Sequence, residues 1–501
     1  MRINRSVEFL YKCPIRPRWT DRISRAVALI YILFMASSAT AAVGLNDLDP
    51  LLSQKTIPVT PAGNALDSID NPCGPKPLPD RVDLLYSVER ALCRNPKTLQ
   101  AWAGIKVQAA QYGLGKGTFL PKLEGSIQWN HDRVITDVHD IPTLSTNFYN
   151  RFRQDALNLS WVLFDFGARS ASVENAWQIL VAAEETHVAT LQTVFLTTAK
   201  DFYSSLAAQA SVDSTREIED AARQSLNAAR ARVEGGVAAV SDQLQAQTAY
   251  ARSVYGRAKA EGNLRTSLGL LALDMGLPPN MSLRLAEQDD RHLQAPSFVK
   301  RVDELLEEAK LSHPAISAAQ AQLAAAQARK RAAIANSLPT ISLSARASRN
   351  DQPLSPAFGQ PELQVVTRDR FLGLQLNLPF FEGFSDLYKV KGAEAQVEAQ
   401  QDNLLDVEQQ VAQGVWVSYQ TYVTNTENLN NTEVILESAR QQFTAAQQRY
   451  QRGAASILEL IAAQSSLADA LQQRIQALND WRTIRLQLAA SIGKLGVSAI
   501  Q

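Results

Sequence analysis

The pattern of apolar and polar positions divides most of the chain into long helical stretches and short alternating ones. Residues 168–276 contain no proline and are rich in Ala, Gln, Leu, Arg and Glu. The main helix-breaking signal among them is the pair Gly235-Gly236, which would cost about 2 kcal/mol relative to alanine inside a helix. This stretch therefore predicts two long antiparallel helices with a turn at about 233–241.

The same pattern recurs at an offset of 217 residues, which indicates a tandem duplication. Arg232 matches Arg449 at the turn, and Phe164 matches Phe381 before the helices. We therefore predict a second hairpin with the same construction. The predicted units are repeat 1 over 81–295, repeat 2 over 296–495, and a second helical hairpin over about 384–493 with its tip at 450–458.

Before each hairpin, short stretches alternate apolar and polar residues with a period of two. Leu123, Ile127 and Trp129 show this alternation, which is typical of a strand with one apolar face. Stretches of about ten residues are long enough to cross a bilayer as tilted strands, and aromatic residues gather near their ends, as in interfacial girdles. The predicted strands are 121–135 and 151–164 in repeat 1, and 339–349 and 369–381 in repeat 2.

Four strands cannot close into a barrel, because open edges leave backbone groups without hydrogen bonds in lipid. Several copies of the chain must therefore combine, and three copies would supply twelve strands. The alternative is a pair of β-hairpins packed on a globular core. That alternative does not explain four strands with a polar face in a chain whose remaining mass is helical rods, with nothing globular to cover the strands.

The helical hairpins also suggest assembly. In the second hairpin, apolar residues such as Tyr422, Leu429 and Leu460 recur at steps of three and four, while Asn425 and Gln464 make the seam partly polar. Such a seam predicts helices packed side by side in a shell, with the opposite face free to line a water-filled bore. A self-contained bundle or a dimeric coiled coil is the alternative.

Charge and composition change the picture mainly at the N-terminus. Seven basic residues precede the apolar run 26–36, which at about 11 residues is too short to span a bilayer as a helix. With small residues at 39–41, this predicts a signal peptide over 1–41; a short membrane anchor is the alternative. The rest of the chain has an excess of about five acidic residues, which gives no hint of nucleic-acid binding. Residues 42–80 resemble a linker that packs outside or stays disordered, and 496–501 a C-terminal tail.

Two cysteines, Cys73 and Cys93, remain after the predicted signal peptide. In an exported protein we expect them to form a disulfide, with two free thiols as the alternative. Because no cysteine directly follows the predicted cleavage site, we expect no N-terminal lipid anchor.

No motif predicts catalysis. The glycine-rich stretch 113–118 follows a helix and lacks the spacing of a phosphate loop, so it reads as a helix end. His131 and His139 lie eight residues apart and fit a solvated surface better than a metal site. We therefore expect no catalytic residue, no metal, no cofactor and no enzymatic activity.

Taken together, these features resemble the TolC-like outer-membrane efflux and secretion proteins. The resemblance covers about residues 80–495. It rests on the duplicated element order, the strand starts Leu-Pro-Lys-Leu and Leu-Pro-Thr-Ile, the strand ends Leu-Phe-Asp-Phe-Gly and Phe-Phe-Glu-Gly-Phe, and the glycine turns. It implies a mainly α fold with a β-barrel contribution: a homotrimer whose 12-stranded transmembrane β-barrel lies in the outer membrane on a 12-helix periplasmic α-barrel. It also implies docking to a periplasmic adaptor and an inner-membrane ABC transporter or other pump.

The resemblance also assigns roles to residues at the hairpin tips. The gate acids would be Asp242 and Glu459, although Ala455 stands where a basic residue is expected and Ala462 where a second acid is expected. The alternative is that the acids only stabilise helix N-termini, by about 0.3 to 1 kcal/mol each. The residues implied to contact the adaptor are Gly235, Gly236, Val237, Gly453, Ala454 and Ala455.

The implied function is a passive channel of a tripartite export system. The cysteine pair and the expected absence of a lipid anchor favour the type I protein-secretion branch, with cargo of the repeat-in-toxin kind. The outer-membrane component of a multidrug efflux pump is the alternative. A periplasmic adaptor is an alternative of another class, but adaptors resemble one hairpin between small β-domains, whereas two hairpins are predicted here.

Overall fold

The computed structural model describes residues 49–66, 73–74, 76–286, 301–353 and 363–496. The predicted signal peptide and residues 497–501 of the predicted tail lie outside the described residues. The chain divides into a unit of residues 1–52 and a unit of residues 53–501, and all the elements below belong to the second unit.

The order helix, helix, strand, strand, long helix, long helix occurs twice, which confirms the predicted duplicated unit. Two short 3-10 helices, Gly63–Leu66 and Pro142–Leu144, lie outside this order. The first repeat comprises α1 (Leu84–Arg94), α2 (Pro96–Gly117), β1 (Lys122–Thr136), β2 (Thr146–Phe164), α3 (Ala168–Glu234) and α4 (Val240–Asp274). The second comprises α5 (Val302–Ser312), α6 (Pro314–Asn336), β3 (Thr340–Asn350), β4 (Thr367–Asn377), α7 (Ser385–Gln451) and α8 (Ile457–Ser491).

Two predicted strand bounds were wrong. β2 begins at Thr146 instead of about 151, because its ladder with β1 continues to the pair Thr136 and Thr146. β4 ends at Asn377 instead of about 381, where Pro379 follows and has no N–H to donate to a ladder.

The two longest helices are nearly twice as long as the helices that follow them in each hairpin. α3 and α7 have 67 residues each, about 100 Å at 1.5 Å per residue, whereas their return helices α4 and α8 have 35 residues. The remaining length is covered by the shorter helices: α2 packs on α3, and α6 packs on both α3 and α7. The helices thus form four adjacent columns. The first column contains α4 and α2, the second α3, the third α8 and α6, and the fourth α7.

One side chain caps both helices where α4 meets α2. Asn95 Oδ1 accepts a hydrogen bond from Lys97 N at 3.0 Å, and Asn95 Nδ2 donates to Asp274 O at 3.1 Å. The two helices therefore stack end to end as one rod. The chain must turn away at Gly276, which has φ +68° and where a Cβ would lie 3.1 Å from Arg94 O.

The junction of α8 with α6 is equivalent but uses other residues. His313 Nδ1 accepts from Ala315 N at 3.2 Å, and Ser312 Oγ donates to Ile492 O at 3.2 Å. A Cβ at Gly493, which has φ +81°, would lie 2.8 Å from His313 Cα, so this position also requires glycine.

The largest buried cluster lies at the level of the first junction, where α1, α3, α4 and α8 meet. The described part of the predicted linker packs here. Ala62 is fully buried in the cluster, and His187 Nε2 lies 2.9 Å from Pro61 O. Cys73 and Cys93 form a disulfide with a Cα–Cα distance of 5.3 Å, which ties the segment before α1 to that helix.

The strands form one antiparallel sheet in the order β1-β2-β3-β4. One row of apolar side chains crosses all four strands, namely Leu123, Leu159, Ala345 and Leu372. This face is uncovered in the single chain: Leu372 is 74% exposed and Leu123 61%. The adjacent row, on the other face, is polar or small and consists of Lys122, Ser160, Ser344 and Gly373. Within the described residues, no helix is long and apolar enough to cross a membrane.

Two carboxyl groups face each other beside the first junction. Burial is the main cause that raises the pKa of Asp274 to about 6, and the charge and hydrogen bond of Asp201 raise it further, while Lys97 opposes the shift. Burial also raises the pKa of Asp201. The equivalent positions of repeat 2, 217 residues later, are Ser418 and Ser491. The acidic pair is therefore not required by this junction.

We predict that Asp274→Asn stabilises the protein at pH 7.5 and has little effect at pH 4. A raised carboxyl pKa lowers stability as pH rises from about 4 to about 6, and the loss persists above that range. The measurement is the temperature at which the purified protein unfolds at the two pH values. Ser491→Asn, at the equivalent position of repeat 2, is the control that introduces no pH dependence. An equal shift for Asp274→Asn at both pH values would contradict the prediction.

Candidate functional site

The first hairpin turns at its tip through a hydrogen-bond pattern that requires a left-handed residue. Gly236 has φ +73° and donates from its N–H to Val233 O at 3.0 Å, while Val237 N donates to Arg232 O at 2.9 Å. This is the Schellman arrangement, in which glycine carries no steric cost. The Gly235-Gly236 pair therefore ends α3 at the position predicted from the sequence.

The tip of the second hairpin repeats this arrangement. Gly453 has φ +80° and donates to Tyr450 O at 3.0 Å, and Ala454 N donates to Arg449 O at 2.8 Å. The return helix differs between the tips, because Ser456 Oγ accepts from Glu459 N at 3.2 Å and caps α8. At the start of α4, Ala239 provides no side-chain cap.

The residues predicted to contact an adaptor lie at these two turns, at the tips of the hairpins. Val237 is 68% exposed, and the glycines of both turns and Ala454 are also exposed. Ala455 is instead half-buried and packs against a cluster inside the tip. Val240 and Leu458 add exposed apolar side chains just beyond the two turns.

A small apolar cluster joins the two hairpins directly behind the tips. It combines α3 and α4 with α7 and α8, and its buried members are Leu226, Ala229, Ala246, Ala446, Tyr450, Ile457, Leu460 and Ala463. Tyr450 is 2% exposed, and its hydroxyl has no hydrogen-bond partner within the part of the chain that the structure describes. The seam predicted from Tyr422, Leu429 and Leu460 is likewise buried.

Arg232 links the first hairpin to the second. Its Nη1 donates to Tyr450 O at 3.0 Å, and its guanidinium lies 4.9 Å from the centre of the Tyr450 ring. Tyr450 O belongs to the last turn of α7, where a cation is favoured by the helix dipole. This contact was not predicted from the sequence, although Arg232 and Arg449 were matched there as equivalent positions of the two repeats.

Arg449 makes a different contact from the same position in repeat 2. Its Nη1 lies 2.8 Å from Glu459 Oε1, and its Nη2 donates to Ala454 O at 3.3 Å. The predicted gate acid Glu459 is therefore paired with an arginine of its own hairpin. Glu459 and Arg449 both remain partly exposed, with 41% and 58% of their side-chain surface accessible.

The second predicted gate acid, Asp242, is half-buried and lies close to Tyr450 of the other hairpin. Burial raises the pKa of the Tyr450 hydroxyl, Arg232 lowers it, and the charge of Asp242 raises it. Ser241 Oγ lies 3.4 Å from Asp242 Oδ1. Within the described residues, no hydrogen bond or ion pair joins Asp242 to Glu459. The structure therefore brings Asp242 close to Tyr450, and Glu459 close to Arg449.

The described residues contain no group of three or more His, Cys, Asp or Glu side chains placed to hold a metal ion. The glycine-rich stretch at 113–118 forms the last turn of α2, which ends at Gly117. It therefore has the geometry of a helix end, as predicted.

Known proteins match this architecture along most of its length. The model of the outer membrane efflux protein family matches residues 87–276 and 305–494, one segment in each repeat. Protein CyaE of Bordetella pertussis is 30% identical over 483 residues, which cover 95% of this chain and 97% of CyaE. Outer membrane protein TolC of Escherichia coli strain K12 is 21% identical over 421 residues, 82% of each chain. A crystal structure of CusC superposes with a TM-score of 0.71 at 20% identity, covering 87% of this chain and 97% of CusC, and so shares the fold.

Proposed function

The chain belongs to the outer membrane efflux protein family, and we propose that three copies of it form the outer-membrane channel of a tripartite export system. The channel conducts cargo passively and is not an enzyme; an inner-membrane ABC transporter or other pump supplies the energy, and a periplasmic adaptor connects the two. The observation that carries this proposal is the four-stranded sheet, which exposes an apolar face and has two open edges.

The open edges explain why copies associate. Within the described residues β1 pairs only with β2, and β4 only with β3. Unpaired backbone groups cost several kcal/mol each in hydrocarbon, so β1 of one copy must pair with β4 of the next. The layer of helices has matching open sides. Exposed apolar residues lie on α4 at one side and on α7 at the other, including Leu244, Tyr255, Leu270, Leu387, Leu405, Trp416 and Val434.

For the cargo we propose proteins of the repeat-in-toxin kind, exported by type I secretion. The resemblance to that branch implies this cargo, and the disulfide between Cys73 and Cys93 is one of the features that favour it. Drug efflux is the second candidate. An adaptor fits less well, because two helical hairpins here are each connected to two strands.

We propose that the hairpin tips form the closed end of the channel and the surface that an adaptor contacts. Arg232 holds the end of α7 against the first hairpin, so it keeps the second hairpin from moving outward. Glu459 lies just beyond the turn, and three copies would place three carboxylates near the axis. Arg449 neutralises part of this charge, so cation binding there depends on both residues.

Arginine on the apolar face of the sheet should prevent assembly, and arginine on the polar face should not. Leu374 pairs with Leu343, and its neighbour Gln375 pairs with Ser342 on the opposite face. A lipid-facing arginine costs about 2–4 kcal/mol at the bilayer midplane. We therefore expect Leu374→Arg, but not Gln375→Arg, to abolish the heat-modifiable trimer on gels of outer-membrane fractions. A stable monomer of the wild type in detergent-free buffer would refute the channel.

We expect Glu459→Ala to raise the single-channel conductance of purified trimers in planar bilayers and to reduce their preference for cations, because Arg449 then loses its partner. Arg232→Gln should also raise conductance, because the second hairpin loses its link to the first, but it should leave ion preference nearly unchanged. The control is Glu437→Ala, which removes an exposed acid of α7 away from the tip. Unchanged conductance in Glu459→Ala would exclude a gate at that residue.

Deleting the gene should remove one or more large proteins from the secreted fraction without changing drug susceptibility. The measurement compares the secreted proteome and the inhibitory concentrations of several drugs in the deletion strain and in a complemented strain. Increased drug susceptibility with an unchanged secretome would favour the efflux alternative.

A further inference from the structure

The apolar face of the sheet becomes basic toward the β1–β2 and β3–β4 connections. On this face six arginines lie in the half of the strands nearer the connections, among residues such as Tyr149 and Asn147, whereas Leu159, Leu343 and Leu374 lie further toward the helices. We call these arginines the basic band. Its members are Arg133, Arg151, Arg153, Arg349, Arg368 and Arg370, and all six are exposed.

Cross-strand contacts place the band on the same face as the apolar residues. The Arg153 guanidinium lies 5.5 Å from the ring centre of Trp129, its cross-strand partner. Arg133 lies in the same way over Tyr149, at 4.9 Å. Because side chains alternate strictly between the two faces of a strand, these pairs fix the face for the rest of the band.

The charge on this face differs from the charge on the other. Within the described strands, Asp155 is the one acid on the face of the band, where it lies 2.7 Å from Arg153 Nε. The opposite face carries the acids Glu124, Asp132 and Asp369, and two basic residues, Lys122 and Arg346. The basic band is therefore specific to one face and is not an effect of overall composition.

The band has the same core in both repeats. Arg151 and Arg153 in β2 correspond to Arg368 and Arg370 in β4 at the offset of 217 residues. The residues between them, Phe152 and Asp369, point to the other face and differ in chemistry. Both repeats thus present an arginine pair, spaced by two, on the same face of the sheet; by the strand register the pair of β4 lies level with Asp155 and Leu157, four residues nearer the helices than the pair of β2.

The band lies at the end of the sheet opposite to the helices. α2 leads into β1 at Lys122, and β2 leads into α3 at Ala168, so the helices leave from the far end of the strands. In the proposed channel the helices extend into the periplasm. The basic band is then level with the outer leaflet, directly beyond the apolar residues that contact its acyl chains.

We propose that the basic band binds the phosphate groups of an anionic glycolipid of the outer leaflet, of the lipid A class. This inference rests on the proposed function, because it requires the apolar face to lie against lipid. Arginine forms paired hydrogen bonds with phosphate oxygens, and clustered cations beside an apolar surface attract anionic headgroups. Of the ion pairs within the described residues, none includes Arg151, Arg349, Arg368 or Arg370, so these guanidinium groups can turn toward a ligand.

The test measures binding of bisphosphorylated lipid A and of dephosphorylated lipid A to purified trimers in detergent, by native mass spectrometry. We expect the wild type to bind the phosphorylated lipid at least tenfold more tightly. In the variant Arg151→Gln/Arg153→Gln/Arg368→Gln/Arg370→Gln this ratio should fall to about one. The control Arg346→Gln, which removes an arginine of the opposite face, should keep the wild-type ratio.

A wild type that binds both lipids equally would overturn the inference, and so would a quadruple variant that keeps the tenfold ratio of affinities. Displacement of the lipid by 10 mM inorganic phosphate would also overturn it, since the site would then bind free anions. If the quadruple variant does not assemble, the double variant Arg368→Gln/Arg370→Gln replaces it, and the ratio of affinities must then fall at least threefold.

Trimer formation and conductance are recorded on the same preparations. Trimers that conduct ions but fail the lipid test would refute only lipid binding by the basic band. A wild type that forms no trimers would refute both the proposed function and this inference.

Discussion

Backbone hydrogen bonding at the two edge strands of the sheet determines how copies of the chain assemble. β1 and β4 each satisfy one side of their ladder within the chain, and the other side requires a neighbour. The helical layer obeys the same constraint, because α4 and α7 form its outer sides and expose apolar residues there. A single copy therefore has two open sides in both its strand layer and its helix layer.

The helical layer has a second requirement, which is equal length on both sides of each seam between helices. A 67-residue helix packed against a 35-residue helix would leave nearly half of its apolar seam exposed to water. The short helices α2 and α6 supply the missing length. Asn95 shows how little is needed to join two helices, because one amide satisfies a donor of α2 and an acceptor of α4.

The parts that could be predicted from the sequence depend on local chemistry. Gly236 and Gly453 mark the tips because few other residues adopt a positive φ without strain, and the spacing of Tyr422 and Leu429 identifies the buried seam. The start of β2 was missed because Asn147 and Asn150 resemble a loop, while their pairing depends on β1. The Arg232–Tyr450 contact could not be predicted, because it joins residues 218 positions apart whose meeting depends on the packing of two hairpins.

The duplication makes the two halves of the chain nearly equivalent, yet the arginines at the tips are used differently. Arg232 crosses to the other hairpin, whereas Arg449 stays within its own. In a ring of three copies, six hairpins would alternate between two kinds. The ring is therefore threefold and not sixfold in symmetry, and a sixfold partner would meet two chemically distinct surfaces in turn.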